Sequence, residues 1–193
     1  TATAEINGGT NYEGLTLTAT LTVTKASITG VTFDDASFTY DGSEKTITVS
    51  GTLPVGASVS YTGNVRTDAG SQTATAAING GANHEDITLT ATLTVTPATH
   101  SIEFPALPEM TYGDDAYTLP AATNGGVPIN WISSDESVAL IEGGRLVILG
   151  AGTATVTGTV PENPNYSNMP EVSQQLTVAK ATQTITLNAP ATV

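Results

Sequence analysis

The chain has 193 residues, with 5 lysines and arginines against 18 aspartates and glutamates, which gives a formal net charge of -13. This charge excludes the basic stripe that binds nucleic-acid phosphates, and it disfavours anionic membrane surfaces. The absence of cysteine excludes disulfides and thiol chemistry, and no apolar run reaches the roughly 18 residues that a membrane-spanning helix needs.

The first predicted element belongs to an internal repeat. Residues 1–26, TATAEINGGTNYEGLTLTATLTVTKA, return at residues 73–98 with 20 of 26 positions identical, a period of 72 residues. The closing phrase recurs at residues 176–181 as LTVAKA. Self-similarity at a fixed period indicates a modular array. We therefore expect a piece of a longer array with the C-terminal part of a module at 1–26, complete modules at 27–97 and 98–180, and the start of a further repeat at 181–193.

Strict alternation marks the predicted strands. In residues 15–24, LTLTATLTVT, every odd position is apolar and every even position is threonine, so we expect one buried face and one wet face. The copy at residues 87–96 keeps this pattern. Further strands are predicted at residues 27–33, 45–49, 58–62, 71–78, 129–133, 145–149, 153–160 and 172–179.

Turn signals separate these runs, with glycine at 19 positions and proline at 10. No stretch carries an apolar stripe of helical spacing, so essentially no α-helix is predicted beyond a single turn near residues 134–138. Many short strands with turns between them are typical of sandwiches and barrels. The predicted fold class is all-β: tandem small antiparallel β-sandwich-like (Ig-like) modules in an extended array.

Two groups of motifs suggest families. Residues 98–180 are similar to bacterial immunoglobulin-like (Big) modules, through FPALPEMTYGD at 104–114, Trp131 in a candidate central strand, and GGRLVILGAGTATVTG at 143–158. The unit at 27–97 resembles the MBG/YDG-type modules of bacterial surface proteins, through ITGVTFDDASFTYDG at 28–42, VSGTLPVGASVSYTGN at 49–64, TDAGSQTATAAING at 67–80 and LTATLTV at 89–95. The resemblance implies tandem all-β modules of an exported bacterial cell-surface protein, without catalytic residues.

Two small devices recur along the chain. A tyrosine followed by a polar turn stands at Tyr40-Asp41-Gly42 and Tyr112-Gly113-Asp114. An asparagine followed by an aromatic ring stands about ten residues before each closing strand, at Asn11-Tyr12, Asn83-His84 and Asn165-Tyr166. Asparagine tolerates tight turns, and the ring is expected to cover the end of a core.

Catalysis finds little support in the sequence. His84 and His100 are the only imidazoles, and nucleophilic hydrolysis needs a base beside its nucleophile. His84 replaces the tyrosine of the other copies, so both histidines are predicted to fill surface positions of aromatic size. Asp135 and Glu136 could be nominated as a carboxylate pair, but adjacent residues point apart. We predict no catalytic residues and no enzyme.

Metal and sugar sites are the remaining chemical candidates. Loop acids occur in pairs, and calcium takes six to eight such oxygens, but no pair follows the spacing of an EF-hand. Calcium is therefore a possible ligand without assigned residues, and no cofactor is predicted. Trp131, the single tryptophan, is expected in the core rather than on an exposed sugar platform. The paired acids are Asp34-Asp35, Glu85-Asp86, Asp114-Asp115 and Asp135-Glu136.

These observations predict a non-catalytic structural or spacer region of a secreted or cell-surface, adhesin-like bacterial protein. The alternatives are a glycan- or protein-binding module of a surface protein, and the linker region of a larger extracellular enzyme. The expected partners are neighbouring repeat modules, a host glycan or protein, and a second copy reached through the orphan strand at 15–24. Neither nucleic-acid binding nor membrane insertion is predicted.

Overall fold

The computed structural model describes residues 1–187 and contains strands but no helix in that range. The all-β prediction is thereby confirmed, and no helix of these residues could cross a membrane. The turn predicted near residues 134–138 is present: the N–H groups of Val138 and Ala139 donate to the carbonyl of Asp135, at 3.2 and 3.1 Å. Residues 188–193, the end of the repeat start predicted at 181–193, lie outside the described residues.

Fifteen strands run through residues 1–187. They are β1 (Ala2–Ile6), β2 (Leu15–Ala19), β3 (Ala36–Thr39), β4 (Lys45–Thr46), β5 (Ser58–Thr62), β6 (Val65–Arg66), β7 (Gly70–Asn79), β8 (Ile87–Thr96), β9 (Met110–Thr111), β10 (Tyr117–Thr118), β11 (Asn130–Ser133), β12 (Ala139–Glu142), β13 (Arg145–Ile148), β14 (Gly152–Thr159) and β15 (Glu171–Ala179).

The chain divides into two compact units. The first comprises Thr1–Ser37, Glu44–Arg66 and Ser71–Thr94, and the second comprises Phe38–Ser43, Thr67–Gly70 and the residues from Val95 onward. Two short segments of the repeat at 27–97 therefore belong to the second unit. The division into four repeat segments stays a prediction.

The first repeat copy forms a two-stranded hairpin in the first unit. β1 pairs antiparallel with β2, beginning with Ala2 opposite Ala19, and no other strand of residues 1–187 joins them. The predicted strand at 15–24 is wrong in length and burial, because β2 ends at Ala19 and Leu21 and Val23 beyond it are 80% and 87% exposed. An apolar face is buried only when a second layer packs on it.

The second repeat copy behaves as its pattern predicts. β7 and β8 are the two central strands of a four-stranded sheet in the order β3-β8-β7-β5. Along β8, Ala91, Leu93 and Val95 are buried, and the threonines between them face outward. Nearby, the buried ring of Phe33 packs against Tyr61, with ring centroids 5.9 Å apart. The alternation at 87–96 thus produces one dry and one wet face.

Two predicted strands in the first unit are wrong in extent. The run at 27–33 contributes only an isolated bridge between Thr32 and Ser50, and the run at 45–49 contributes only β4, which pairs with β6. The apolar residues of these runs are nevertheless buried, as Phe33 and Ile47 show. Their alternation anchors loops to a core instead of continuing a ladder.

The second unit consists of two sheets over a shared core. One sheet has the order β11-β14-β15-β9 and the other β10-β13-β12. Buried side chains from both sheets form one cluster, including Leu146 and Ile148 from β13, Val156 from β14, and Leu176 from β15. The strands predicted at 129–133, 145–149, 153–160 and 172–179 are confirmed, whereas β3 and β12 were not predicted.

The tyrosine turns attach to the closing strands in the same way. The Tyr40 N–H donates to the carbonyl of Thr96 at 2.9 Å, and the Tyr112 N–H donates to the carbonyl of Ala179 at 2.9 Å. Tyr112 follows β9, which pairs parallel with β15. The recurring tyrosine therefore marks a main-chain contact at the end of each closing strand.

Candidate functional site

The asparagine–aromatic pair of the first unit holds the alanine that follows a closing phrase. The Ala26 N–H donates to the Asn83 carbonyl, and the Glu85 N–H donates to the Ala26 carbonyl, both at 2.9 Å. Ala26 thereby forms a parallel bridge with His84. The Lys25 ammonium adds a bond of 2.9 Å to the carbonyl of Gly81. We call this arrangement the asparagine–aromatic bridge.

The second unit repeats the asparagine–aromatic bridge. Ala98, which follows the closing phrase LTVTP, donates its N–H to the Asn165 carbonyl at 3.0 Å, and the Ser167 N–H donates to the Ala98 carbonyl at 2.8 Å. Ala98 forms a parallel bridge with Tyr166. The sequence analysis assigned these rings to the ends of cores and missed the bridge, although the recurrence of both the alanine and the pair carried the signal.

The loop that receives Ala26 is held by its own hydrogen bonds. The Gly81 N–H donates to the Asn79 side-chain oxygen at 2.8 Å, and the His84 N–H donates to the Gly80 carbonyl at 3.2 Å. Gly81 has a φ of +67°, which side chains with a Cβ rarely adopt. A Cβ on Gly80 would lie 2.4 Å from the His84 carbonyl oxygen. The loop therefore requires both glycines.

Three aromatic rings meet around the second bridge, within the second unit. The Tyr166 ring stacks on His100 at a centroid distance of 4.2 Å and meets Tyr40 edge-on at 5.5 Å. Its hydroxyl donates to the carbonyl of Gly125 at 2.7 Å. Edge-on and stacked pairs of this kind contribute about 0.5–1.5 kcal/mol each beyond the area they bury. Tyr166 is thus fixed by both its faces and its hydroxyl.

The Asn165 side chain is fixed from both ends as well. Its oxygen accepts a bond of 2.7 Å from the Ala69 N–H, and its amide nitrogen donates to the Asp68 carboxylate at 3.0 Å. An asparagine is required here, because aspartate would place a second carboxylate against Asp68 and lose the donor.

His100 is buried, so the prediction that it lies on the surface is wrong. It is only 5% exposed, and its Nε2 lies 3.1 Å from the Asn168 carbonyl, which can only accept. The proton therefore sits on Nε2, and Nδ1 accepts from the Thr123 hydroxyl at 3.0 Å. That hydroxyl oxygen accepts in turn from the N–H groups of Gly125 and Val127. Every polar atom of the ring is in use, which leaves no general base.

His84 is half-buried and differs from His100 in its bonding. Its Nδ1 is buried and has no hydrogen-bond partner among residues 1–187. No serine or threonine nucleophile lies in a hydrogen bond with either imidazole other than Thr123, whose oxygen already binds backbone N–H groups. The described residues therefore present no nucleophile activated by a base.

The paired acids cap turns. In the described part of the chain, no three histidine, aspartate or glutamate side chains converge as a metal site would require. The Ser137 hydroxyl, followed by the Ser137 N–H, holds the pKa of Asp135 below its usual 3.8. Other acids accept single bonds: Asp34 from the Thr32 hydroxyl, Asp35 from the Thr92 N–H, Asp86 from the Gly80 N–H and Asp114 from the Thr111 N–H. Calcium binding stays an untested prediction.

Trp131 packs against the core and is half-buried. Its indole N–H donates to the Pro120 carbonyl at 2.7 Å, and its ring lies 4.5 Å from that of Phe104. A Cβ on Gly158 would lie 2.7 Å from the indole, so the glycine makes room for the ring. These contacts agree with a structural tryptophan.

No protein-family model matches the chain, and no curated protein matches it in sequence. Among solved structures, the chain is similar to a SusE-like surface-located polysaccharide-binding protein from the heparin utilisation locus of Bacteroides thetaiotaomicron, with 15% identity, a TM-score of 0.29, and coverage of 79% of this chain and 34% of that one. It is also similar to Drosophila N-cadherin EC1-4, with 10% identity, a TM-score of 0.34, and coverage of 80% and 50%.

Sidekick-1 immunoglobulin domains 1-5 give 12% identity and a TM-score of 0.31, covering 78% of this chain and 38% of that one. The chain thus spans half or less of the length of each of these three proteins. TM-scores of this size do not establish a common fold. The all-β architecture rests on the strands of the chain itself.

Proposed function

We propose that this chain is a non-catalytic structural region of a secreted or cell-surface bacterial protein, in which tandem β-sandwich modules act as spacers. One observation carries the proposal: the asparagine–aromatic bridge occurs twice, each time on the alanine after a closing phrase. Residues that recur at fixed places along the repeats are thereby used for holding chain to chain. The resemblance to MBG/YDG-type and Big modules supports the surface location within this proposal.

The acidic composition fits the same role. A net charge of -13 on a chain with few cations keeps neighbouring modules apart by repulsion and keeps the protein soluble. The threonine faces of the strands expose hydroxyl groups that water satisfies. Neither feature provides recognition of a particular ligand.

Small-angle scattering tests the spacer role. A chain carrying one more copy of residues 27–98, inserted after Ala98, should gain about 30–40 Å in maximum dimension if each module adds the length of one ten-residue strand. A serine- and glycine-rich insert of equal length is the control, and it should gain flexibility without a defined increment. A gain below about 10 Å would reject spacing as the role.

A binding module is the second candidate, and one surface favours it. Tyr112 is 54% exposed and lines a cavity of about 370 Å³ or less together with Lys180 and Gln183. An exposed ring beside amide and ammonium donors suits neutral sugars. Titration with neutral oligosaccharides should give saturable heat that Tyr112→Ala removes, and absence of heat with wild type would reject this candidate.

A further inference from the structure

The loop of the first repeat copy has the conformation of the loop that receives Ala26, but it is empty-handed in this chain. The Gly9 N–H donates to the Asn7 side-chain oxygen at 3.0 Å, and the Tyr12 N–H donates to the Gly8 carbonyl at 3.1 Å, as in the loop at 79–85. Gly9 has a φ of +61°. The loop at 7–13, which we call the acceptor loop, is therefore already shaped for a bridge.

Nothing among residues 1–187 forms that bridge. The isolated bridges of the described chain involve Ala26 and Ala98 at the other two asparagine–aromatic pairs, and none involves Asn11 or Tyr12. Tyr12 is 82% exposed. The acceptor loop thus differs from its copies in occupancy and agrees with them in conformation.

The complementary surface is exposed in the second unit. Alignment of the repeats places Tyr112 at the position of Tyr40, Lys180 at that of Lys25, Ala181 at those of Ala26 and Ala98, and Ala151 at that of Ala69. In the docked copies these are the positions that contact the asparagine–aromatic pair or its loop. Tyr112, Ala151, Lys180 and Ala181, which we call the donor surface, line one cavity of about 360 Å³.

We propose that the donor surface of one copy binds the acceptor loop of a second copy, giving head-to-tail self-association. Ala181 takes the place of Ala26, donating its N–H to the Asn11 carbonyl and accepting from the Glu13 N–H. Lys180 reaches the Gly9 carbonyl as Lys25 reaches Gly81, and Tyr112 packs on Tyr12 as Tyr40 packs on Tyr166. Because the two surfaces differ, the contact is heterologous and each added copy leaves one of each surface open.

Neither the spacer role nor sugar binding is needed for this inference, and its failure leaves the proposed function standing. Both surfaces are small and exposed, so we expect association that is weak and dependent on concentration. Like charges on the two copies repel, so measurements need physiological salt, at which the screening length is about 8 Å.

Sedimentation of the full chain at rising concentration is the first test. The average mass should rise with concentration and continue past the dimer. Tyr12→Ser and Tyr112→Ser should each weaken association by about tenfold, as loss of an aromatic anchor does at small interfaces. Met169→Ser, which changes another exposed apolar side chain at 67% exposure, should leave association unchanged. Monomeric behaviour at all concentrations overturns the proposal, as does association that ignores both tyrosines.

Cross-linking tests the pairing itself, because the chain has no cysteine of its own. A mixture of Ala181→Cys and Tyr12→Cys chains should form disulfide-linked dimers at least about tenfold faster than either chain alone, since docking raises the effective concentration of the two thiols. Thr90→Cys, on an exposed strand face, replaces Ala181→Cys as the control. Equally fast dimers of Tyr12→Cys alone would indicate hairpin-to-hairpin pairing and overturn the head-to-tail arrangement.

Discussion

The two copies of the 26-residue repeat have nearly the same sequence and very different surroundings. In the second copy, β7 and β8 lie between β3 and β5, and Leu93 is fully buried. In the first copy, β1 and β2 pair only with each other, and Leu21, the counterpart of Leu93, is 80% exposed. Alternation therefore determines which face of a strand is apolar, whereas neighbouring layers determine whether that face is buried.

The difference also sets strand length. β8 extends to Thr96, but β2 ends at Ala19, five residues before the corresponding position at Thr24. Backbone N–H and C=O groups need partners, and β3 supplies a second neighbour to β8 that β2 lacks among the described residues. Identical residues can therefore form a strand in one place and extended chain in another.

The largest expected difference concerns the matched leucines. Leu93→Ala should lower the free energy of unfolding by about 2–5 kcal/mol, because it opens a cavity in a packed core. Leu21→Ala should change it by less than about 0.5 kcal/mol, as surface changes do. Urea denaturation followed by circular dichroism measures both. Equal costs would show that the first hairpin is packed in solution.

The loop glycines should separate global from local stability. A Cβ on Gly80 would meet backbone at 2.4 Å, and a Cβ on Gly8 would meet backbone at 2.0 Å. Gly80→Ala should therefore cost about 1–3 kcal/mol of global stability, as overpacking does. Gly8→Ala should leave global unfolding unchanged and remove hydrogen-exchange protection from β1 and β2. Retained protection in Gly8→Ala would contradict the common loop conformation.

Exchanging the aromatic residues of the two loops tests the environment of His84. His84→Tyr should stabilise the chain by about 1 kcal/mol, because it removes a buried nitrogen that lacks a hydrogen-bond partner in the described structure. Tyr12→His, at an exposed position, is the matched control and should have no measurable effect. Destabilisation by His84→Tyr would show that Nδ1 is satisfied in solution, for instance by water.

The smallest effect is expected at an exposed turn that needs no packing. The pKa of Asp135 is lowered by the Ser137 hydroxyl and N–H, so the ionised form is favoured by folding. The resulting stability is present above the usual pKa of 3.8 and is lost as pH falls through the lower folded-state value. Asp135→Asn should reduce the drop in melting temperature below pH 3.8. An unchanged acid limb would exclude this turn as a contributor.

Sequence reasoning found most of the fold where alternation coincides with a packed ladder, as in β7, β8, β14 and β15. It failed at residues 27–33, because Phe33 is buried from a loop and alternation cannot distinguish an anchor from a strand. β12 was missed because its four residues are too few to show a period. The asparagine–aromatic pairs were noticed, but their bridging partner lies far along the chain, where no local pattern could indicate it.

The buried histidine followed the same limit. His100 resembles any isolated polar residue in sequence, and its burial depends on Thr123 and Asn168, which are separated from it by 23 and 68 positions. The acids were easier, since Asp135 and Ser137 form a local turn that their spacing allows. Local chemistry was therefore predictable, and contacts between distant segments were not.

The parallel pairing of β9 with β15 has a mechanical consequence. Tension applied to the N-terminal end of β9 and the C-terminal end of β15 would slide the two strands past each other, loading the bonds around Met110 and Val178 together instead of one by one. We expect the second unit to rupture in a single sharp event under stretching. A force–extension trace with gradual, low-force unravelling of this unit would refute that expectation.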